Sequence, residues 1–111
     1  MAQQNLQQVF AALGDPTRFA IVEKLLAQDA QTVGQLAKPH NMSAPAISRH
    51  LRVLEDAGLI ERKIEKQFRV CSLRRECFAS LEDWLGRYSD FWGASFDRLD
   101  EFLQDDEGAS E

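Results

Sequence analysis

The sequence predicts a mainly α-helical fold with one small β-hairpin, and three features carry that prediction. Apolar residues recur at helical spacing over 5–13, 16–27, 43–57 and 76–103. The rhythm changes after Gly58, where Leu59–Ile64 and Phe68–Leu73 are rich in β-branched, aromatic and long charged residues and flank the polar tip Glu65-Lys66-Gln67. Just before the central helix, a short helix and a brief turn lead into a helix with its own N-cap, the layout of a helix-turn-helix. A charged hairpin directly after such a unit is its winged variant. Length and composition agree: 111 residues have room for one modest core, and no apolar run approaches membrane-spanning length. The N-terminus MAQQNLQQVF has no basic start followed by an apolar block, so it does not read as a secretory signal, and the cytoplasm is the default location.

In chain order, NLQQVFAAL (5–13) reads as a helix with Leu6, Val9, Phe10 and Leu13 on one face. Gly14-Asp15-Pro16 follows; Asp15 can cap a new helix and Pro16 suits its first position. That second helix runs to about Ala27, with Phe19, Ile21, Val22, Leu25 and Leu26 expected in the core. Thr32 can cap a short third helix, Val33 to Ala37, and Lys38-Pro39-His40-Asn41 makes the turn that follows.

The stretch Met42–Gly58 has both helix ends written in: Ser43 as N-cap, Pro45 in the first turn, Gly58 as the left-handed stop. Ile47, Leu51 and Leu54 fall at i, i+4 and i+7 and form one apolar stripe. The opposite face presents Ser43, Ala44, Ala46, Ser48, Arg49, His50 and Arg52, small residues first and donors after. A helix entering a DNA major groove needs such a front, with short side chains for close approach and donors for phosphates and base edges. An ordinary surface helix offers a similar face, so the surroundings must decide. Charge separates the two readings. From Lys38 to Arg75 there are nine Lys or Arg against four Asp or Glu, a local +5. The remainder holds four basic and fourteen acidic residues, −10, which together give the net −5 of the chain. Positive charge is thus gathered where the candidate reading helix lies. On the hairpin, Lys63, Lys66 and Arg69 are placed to meet a phosphate backbone or minor groove.

From Glu76 to Leu103 runs a long helix with an apolar seam at Phe78, Leu81, Leu85, Tyr88, Trp92, Phe96, Leu99 and Phe102 or Leu103. Trp84 and Phe91 widen it beyond what one small domain needs, so the seam is expected to cover a partner, most simply the same helix of a second copy. Residues 1–103 then read as one domain, and the acidic tail Gln104–Glu111 as disordered. Cys71 and Cys77, too few for a disulfide scaffold, close the hairpin and open the last helix. That placement raises the idea of a redox switch, against the commoner use of lone cysteines as small buried hydrophobes.

LGDPTRFAIVEKLL (13–26) and SAPAISRHLRVLEDAGLIER (43–62) resemble the ArsR family of bacterial winged-helix repressors, and the likeness spans nearly the whole chain except the tail. The resemblance implies a homodimer built from the first and last helices, about 5–13 and 76–103, with DNA read by about 32–72 on a palindromic operator. Carried over by position, the DNA-contacting candidates are Ser43, Ala44, Pro45, Ser48, Arg49, His50 and Arg52, with Arg62, Lys63, Lys66 and Arg69 on the wing. The corresponding dimer candidates are Leu6, Val9 and Phe10 with Phe78, Leu81, Leu85, Tyr88, Trp92, Phe96 and Leu99. Two departures from the family pattern matter. The Cys-x-Cys of metal-sensing members is replaced by Thr32-Val33-Gly34-Gln35-Leu36, and the last helix has no histidine for the other common metal site. No metal or other cofactor is therefore expected. A small-molecule inducer, often unidentified in members without a metal site, stays open as a partner, and Trp84, Phe91 and Trp92 could line its pocket. The wing also lacks the usual glycine at its tip, Lys66-Gln67 standing there instead.

The function that follows is sequence-specific DNA binding by a dimeric transcriptional regulator, a repressor by family habit. The alternative is a winged-helix protein-interaction module without DNA binding, which has no need for segregated positive charge. No glycine-rich phosphate loop, metal cluster or nucleophile–base pair at usable spacing argues for an enzyme.

Overall fold

Four short polar side chains set where the helices begin. Asn5, Asp15, Thr32 and Ser43 each accept the backbone N–H three residues on, at 3.2, 3.0, 3.1 and 3.3 Å. Each satisfies a donor that the first turn leaves unpaired. In this computed structural model, which describes residues 5–109, they open α1 (Leu6–Leu13), α2 (Pro16–Gln28), α3 (Val33–Ala37) and α4 (Ala44–Asp56). Thr32 goes further and closes a capping box: its own N–H donates to the Gln35 side chain at 2.8 Å. Between α3 and α4 the chain makes a 3₁₀ turn at Lys38–His40 and reverses at Asn41, whose φ of 51° is left-handed.

The wing consists of β2 (Ile60–Glu65) and β3 (Phe68–Leu73), paired antiparallel from Ile60↔Leu73 to Glu65↔Phe68. Its two-residue tip sets Lys66 at φ 58°, a conformation in which glycine would be unstrained. A third strand, β1 (Gln31–Thr32), pairs with the other edge of β3 and gives the sheet order β1-β3-β2. Periodicity does not reveal β1, because two residues carry no alternation.

The core takes Val9 and Ala12 from α1, Ile21, Val22 and Leu25 from α2, Leu36 from α3, and Ile47, Leu51 and Leu54 from α4. Ala57, Leu59, Ile60, Cys71 and Cys77 complete it. Phe19 and Leu26 correct the core expected from the sequence, with 50% and 58% of their surface exposed. The buried stripe of α2 is set by Ile21, Val22 and Leu25, and Phe19 and Leu26, seven residues apart, share the flank beside it.

The last helix, α5, runs from Arg75 to Ala109, so the backbone is helical beyond Leu103 and the segment expected to be disordered is helical as far as Ala109; Ser110 and Glu111 lie outside the described residues. The chain divides into two compact units after Ser80, the second made of the rest of this one helix. Within that unit Trp84 packs against Tyr88 at 4.8 Å between ring centroids with the planes tilted by 51°, and Trp92 meets Phe91 edge-on at 5.4 Å.

Candidate nucleic-acid interface

The recognition helix is terminated as firmly as it is started. Gly58 sits at φ 83° and donates to Glu55 O at 3.0 Å, while Leu59 donates to Leu54 O at 3.0 Å. This pair of bonds is a Schellman stop, and Leu54 and Leu59 are both fully buried beneath it. With Ile47, Leu51 and Leu54 inside, α4 turns Ser43, Ala44, Pro45, Arg49 and Arg52 to solvent and leaves Ser48 half-buried. Among the described residues, neither Arg49 nor Arg52 has a hydrogen-bond or ion-pair partner. The exposed front of α4 thus has the short-then-basic order read from the sequence.

His50 differs. Its Nδ1 lies 3.3 Å from Arg18 Nη1 and 3.8 Å from Asp15 Oδ2. A guanidinium only donates, so in this contact Nδ1 is the acceptor. Arg18 also donates through Nε to Ala12 O at 2.7 Å. It therefore joins the last turn of α1 to α4, and His50 is occupied inside its own domain. The Arg18 backbone N–H holds the Asp15 carboxyl below the usual aspartate range, against some desolvation, with help from the charge of the Arg18 guanidinium.

Arg62 is turned inward too. Its Nη2 and Nε donate to a single oxygen, Glu55 Oε1, at 2.8 and 3.2 Å. The hydrogen bond to Glu55 raises the pKa of Arg62. The Arg62 side chain is 22% exposed, and it fastens the root of the wing to the last turn of α4. Lys63 lies 3.4 Å from Glu61 in an exposed pair, while Lys66 and Arg69 are exposed. Of the eleven DNA candidates, His50 and Arg62 are held to other elements of the fold and Ser43 caps its own helix, while the other eight face solvent at least in part. Sequence reasoning missed Arg18 and Glu55. Their partners lie on other elements, a relation no local pattern encodes.

The dimer candidates divide similarly. Val9 is fully buried in its own chain and has nothing to offer a second one, a correction explained by its place on the α1 stripe that packs inward. Leu6, Phe78 and Leu81 are half-buried, while Phe10, Leu85, Tyr88, Trp92, Phe96 and Leu99 remain substantially exposed. Cys71 and Cys77 are free thiols with no exposed surface, and burial raises the pKa of both. A buried, protonated thiol lacks the thiolate character and access that oxidant sensing requires, so the pair reads as core rather than switch. Among the described residues no cluster of three or more His, Cys, Asp or Glu is placed to hold a metal ion, and no helix is long and apolar enough to cross a membrane.

Comparison with known proteins agrees with this arrangement. The model of the bacterial regulatory proteins of the arsR family matches residues 15–62, from the cap of α2 to Arg62. The transcriptional repressor SdpR of Bacillus subtilis is 35% identical over 80 residues, covering 72% of this chain and 88% of its own. Among solved structures, the ArsR family transcriptional regulator RHA00566 matches with a TM-score of 0.71 and 36% identity, over 79% of this chain and 96% of that one. Mb0332 from Mycobacterium bovis, solved as a homodimeric winged helix-turn-helix DNA-binding domain, matches with a TM-score of 0.61 and 27% identity, over 77% and 78%. The chain therefore belongs to the ArsR family and is a DNA-binding transcriptional regulator with a winged helix-turn-helix.

Proposed function

We propose that this regulator is a homodimeric repressor that occupies a two-fold operator through α4 and the wing of each subunit and catalyses no reaction. The observation that carries the reading is the solvent face of α4, where Ser43, Ala44 and Pro45 leave room for close approach and Arg49 and Arg52 stand exposed beside them. Two such helices in a two-fold dimer meet successive major grooves at about 34–36 Å. The exposed apolar stripe of α5, from Leu85 through Leu99, supplies a self-complementary surface for dimerisation, and the homodimeric Mb0332 supports the same assembly. Repression is supported by the relative SdpR, a transcriptional repressor. Release by a small-molecule inducer fits a family member in which no histidine or Cys-x-Cys metal site can be built.

The test is a titration of the purified protein against DNA from immediately upstream of its own gene and against random DNA, at two salt concentrations, with sedimentation to fix the oligomer. Tight binding of a dimer to the upstream duplex, lowering transcription from it in a reconstituted assay, is the expected outcome. A folded monomer, or a dimer that binds neither duplex, would refute the proposal and favour a protein-interaction module.

A further inference from the structure

The register of the wing sorts its side chains onto two faces that differ in charge. Side chains alternate along a strand, and paired residues share a face. Ile60, Arg62 and Ile64 of β2 therefore stand with Leu73, Cys71 and Arg69 of β3 on one side. Glu61, Lys63 and Glu65 stand with Ser72, Val70 and Phe68 on the other. The first face contains no acidic residue. The second carries two glutamates and one lysine, and that lysine lies 3.4 Å from Glu61.

Contacts of the first face show which way it looks. At the root of the wing, Ile60 and Cys71 are buried in the core. Arg62, level with Cys71 and one pair out from Ile60, reaches Glu55 on α4. Ile64 and Arg69, directly paired, come next on that same side, the side of the recognition helix, after the core has ended. Ile64 is then 74% exposed, and Arg69 is exposed beside it. An aliphatic side chain held out from a strand, paired with a free guanidinium on an acid-free face, matches the surface of a duplex, where apolar deoxyribose lines a groove bordered by phosphates.

We propose that the wing docks on DNA through the face shared with α4, with Arg69 on a phosphate and Ile64 against the sugar walls of the minor groove, and that Lys63 lies outside the contact. The assignment rests on the DNA-binding reading above and specifies which residues of the wing carry it. Arg62 sets the angle of that face without touching DNA.

The test uses the full chain and a fluorescein-labelled duplex from immediately upstream of its gene, with a random duplex beside it, followed by anisotropy across a salt series. Arg69→Ala should weaken binding and lower the salt slope by about one per subunit, as loss of a phosphate contact requires. Ile64→Ser should weaken it by up to about tenfold with the salt slope unchanged, since no counterion is involved. Lys63→Ala should change affinity by less than about twofold, as a rim charge already paired with a neighbour does. All three side chains are exposed, and thermal melts confirm that each variant folds; Ile64→Thr keeps the β-branch and serves if Ile64→Ser does not fold. Lys63→Ala costing as much as Arg69→Ala, or neutral Ile64 variants, would overturn the face assignment while wild type still binds. A wild type that binds neither duplex would overturn the DNA reading together with it.

Discussion

Replacing Arg62 with alanine should destabilise the fold and leave the salt dependence of DNA binding almost untouched. The change removes two charge-assisted hydrogen bonds that converge on Glu55 Oε1 at 2.8 and 3.2 Å. A hydrogen bond to a charged group contributes about 1.5–3 kcal/mol, while an exposed ion pair contributes about 0–1. Glu55 is 38% exposed and Arg62 22%, so water recovers part of the loss and the net cost falls between these limits, at about 1–2 kcal/mol. Urea unfolding at one fixed protein concentration reads this directly, the concentration being held because a dimer's stability depends on it. A double-mutant cycle with Glu55→Ala should return a coupling of about 1 kcal/mol, in the range seen for residues in direct contact. Binding to the upstream duplex should weaken because the wing loses its angle, yet the salt slope should hold. An unchanged urea midpoint with a salt slope lowered by about one would refute this account and return Arg62 to the phosphate contacts.

Four other perturbations probe other parts of the structure. Arg49→Ala should weaken specific binding by about 1–3 kcal/mol if the guanidinium reads a base edge, and an equal loss on random DNA would mark a phosphate contact instead. Gly58→Ala puts a Cβ on a residue at φ 83° and should cost about 1–2 kcal/mol, lowering the melting temperature by about 4–8 °C per kcal/mol. Asp29→Gly should do the reverse: Asp29 holds φ 59°, ψ −146°, which strains a residue with a side chain, and relief of roughly 1 kcal/mol should survive the extra freedom glycine gains when unfolded. Asp15 has a lowered folded-state pKa, so its contribution is complete above the ordinary aspartate value of about 4 and is lost as pH falls through the lower folded value. Thermal melts between pH 3 and about 6 should therefore show an acid-side loss of stability that is smaller in Asp15→Asn, which keeps an acceptor for the Arg18 N–H.

Much of the architecture is legible in short-range chemistry. Asp15, Thr32 and Ser43 cap the helices they were expected to cap, and Gly58 ends α4, because a cap and its donor lie within a few residues of each other. What escaped the sequence depends on distant partners. His50 and Arg62 look like DNA ligands by residue type, and only tertiary structure shows Arg18 and Glu55 beside them. Phe19 and Leu26 look like core because they are large and apolar, but α2 can bury only one stripe, and Ile21, Val22 and Leu25 fill it. The two faces of the wing are invisible until the strand register is known, since a shift by one residue would exchange Lys63 with Ile64.

Thr32 has a further consequence, for how the protein is made. Its backbone is in register with Val70 in the sheet, and its side chain caps α3, a helix of five residues that is too short to hold itself in water. The start of the helix-turn-helix is thus pinned by a strand that leaves the ribosome after both α3 and α4 have been synthesised. Until β3 emerges, a nascent chain can contain every residue of α4 without the frame that orients it. An incomplete chain ending before Phe68 lacks the partner strand of Thr32, because the frame of the helix-turn-helix is completed by some of the last residues of its own unit to appear.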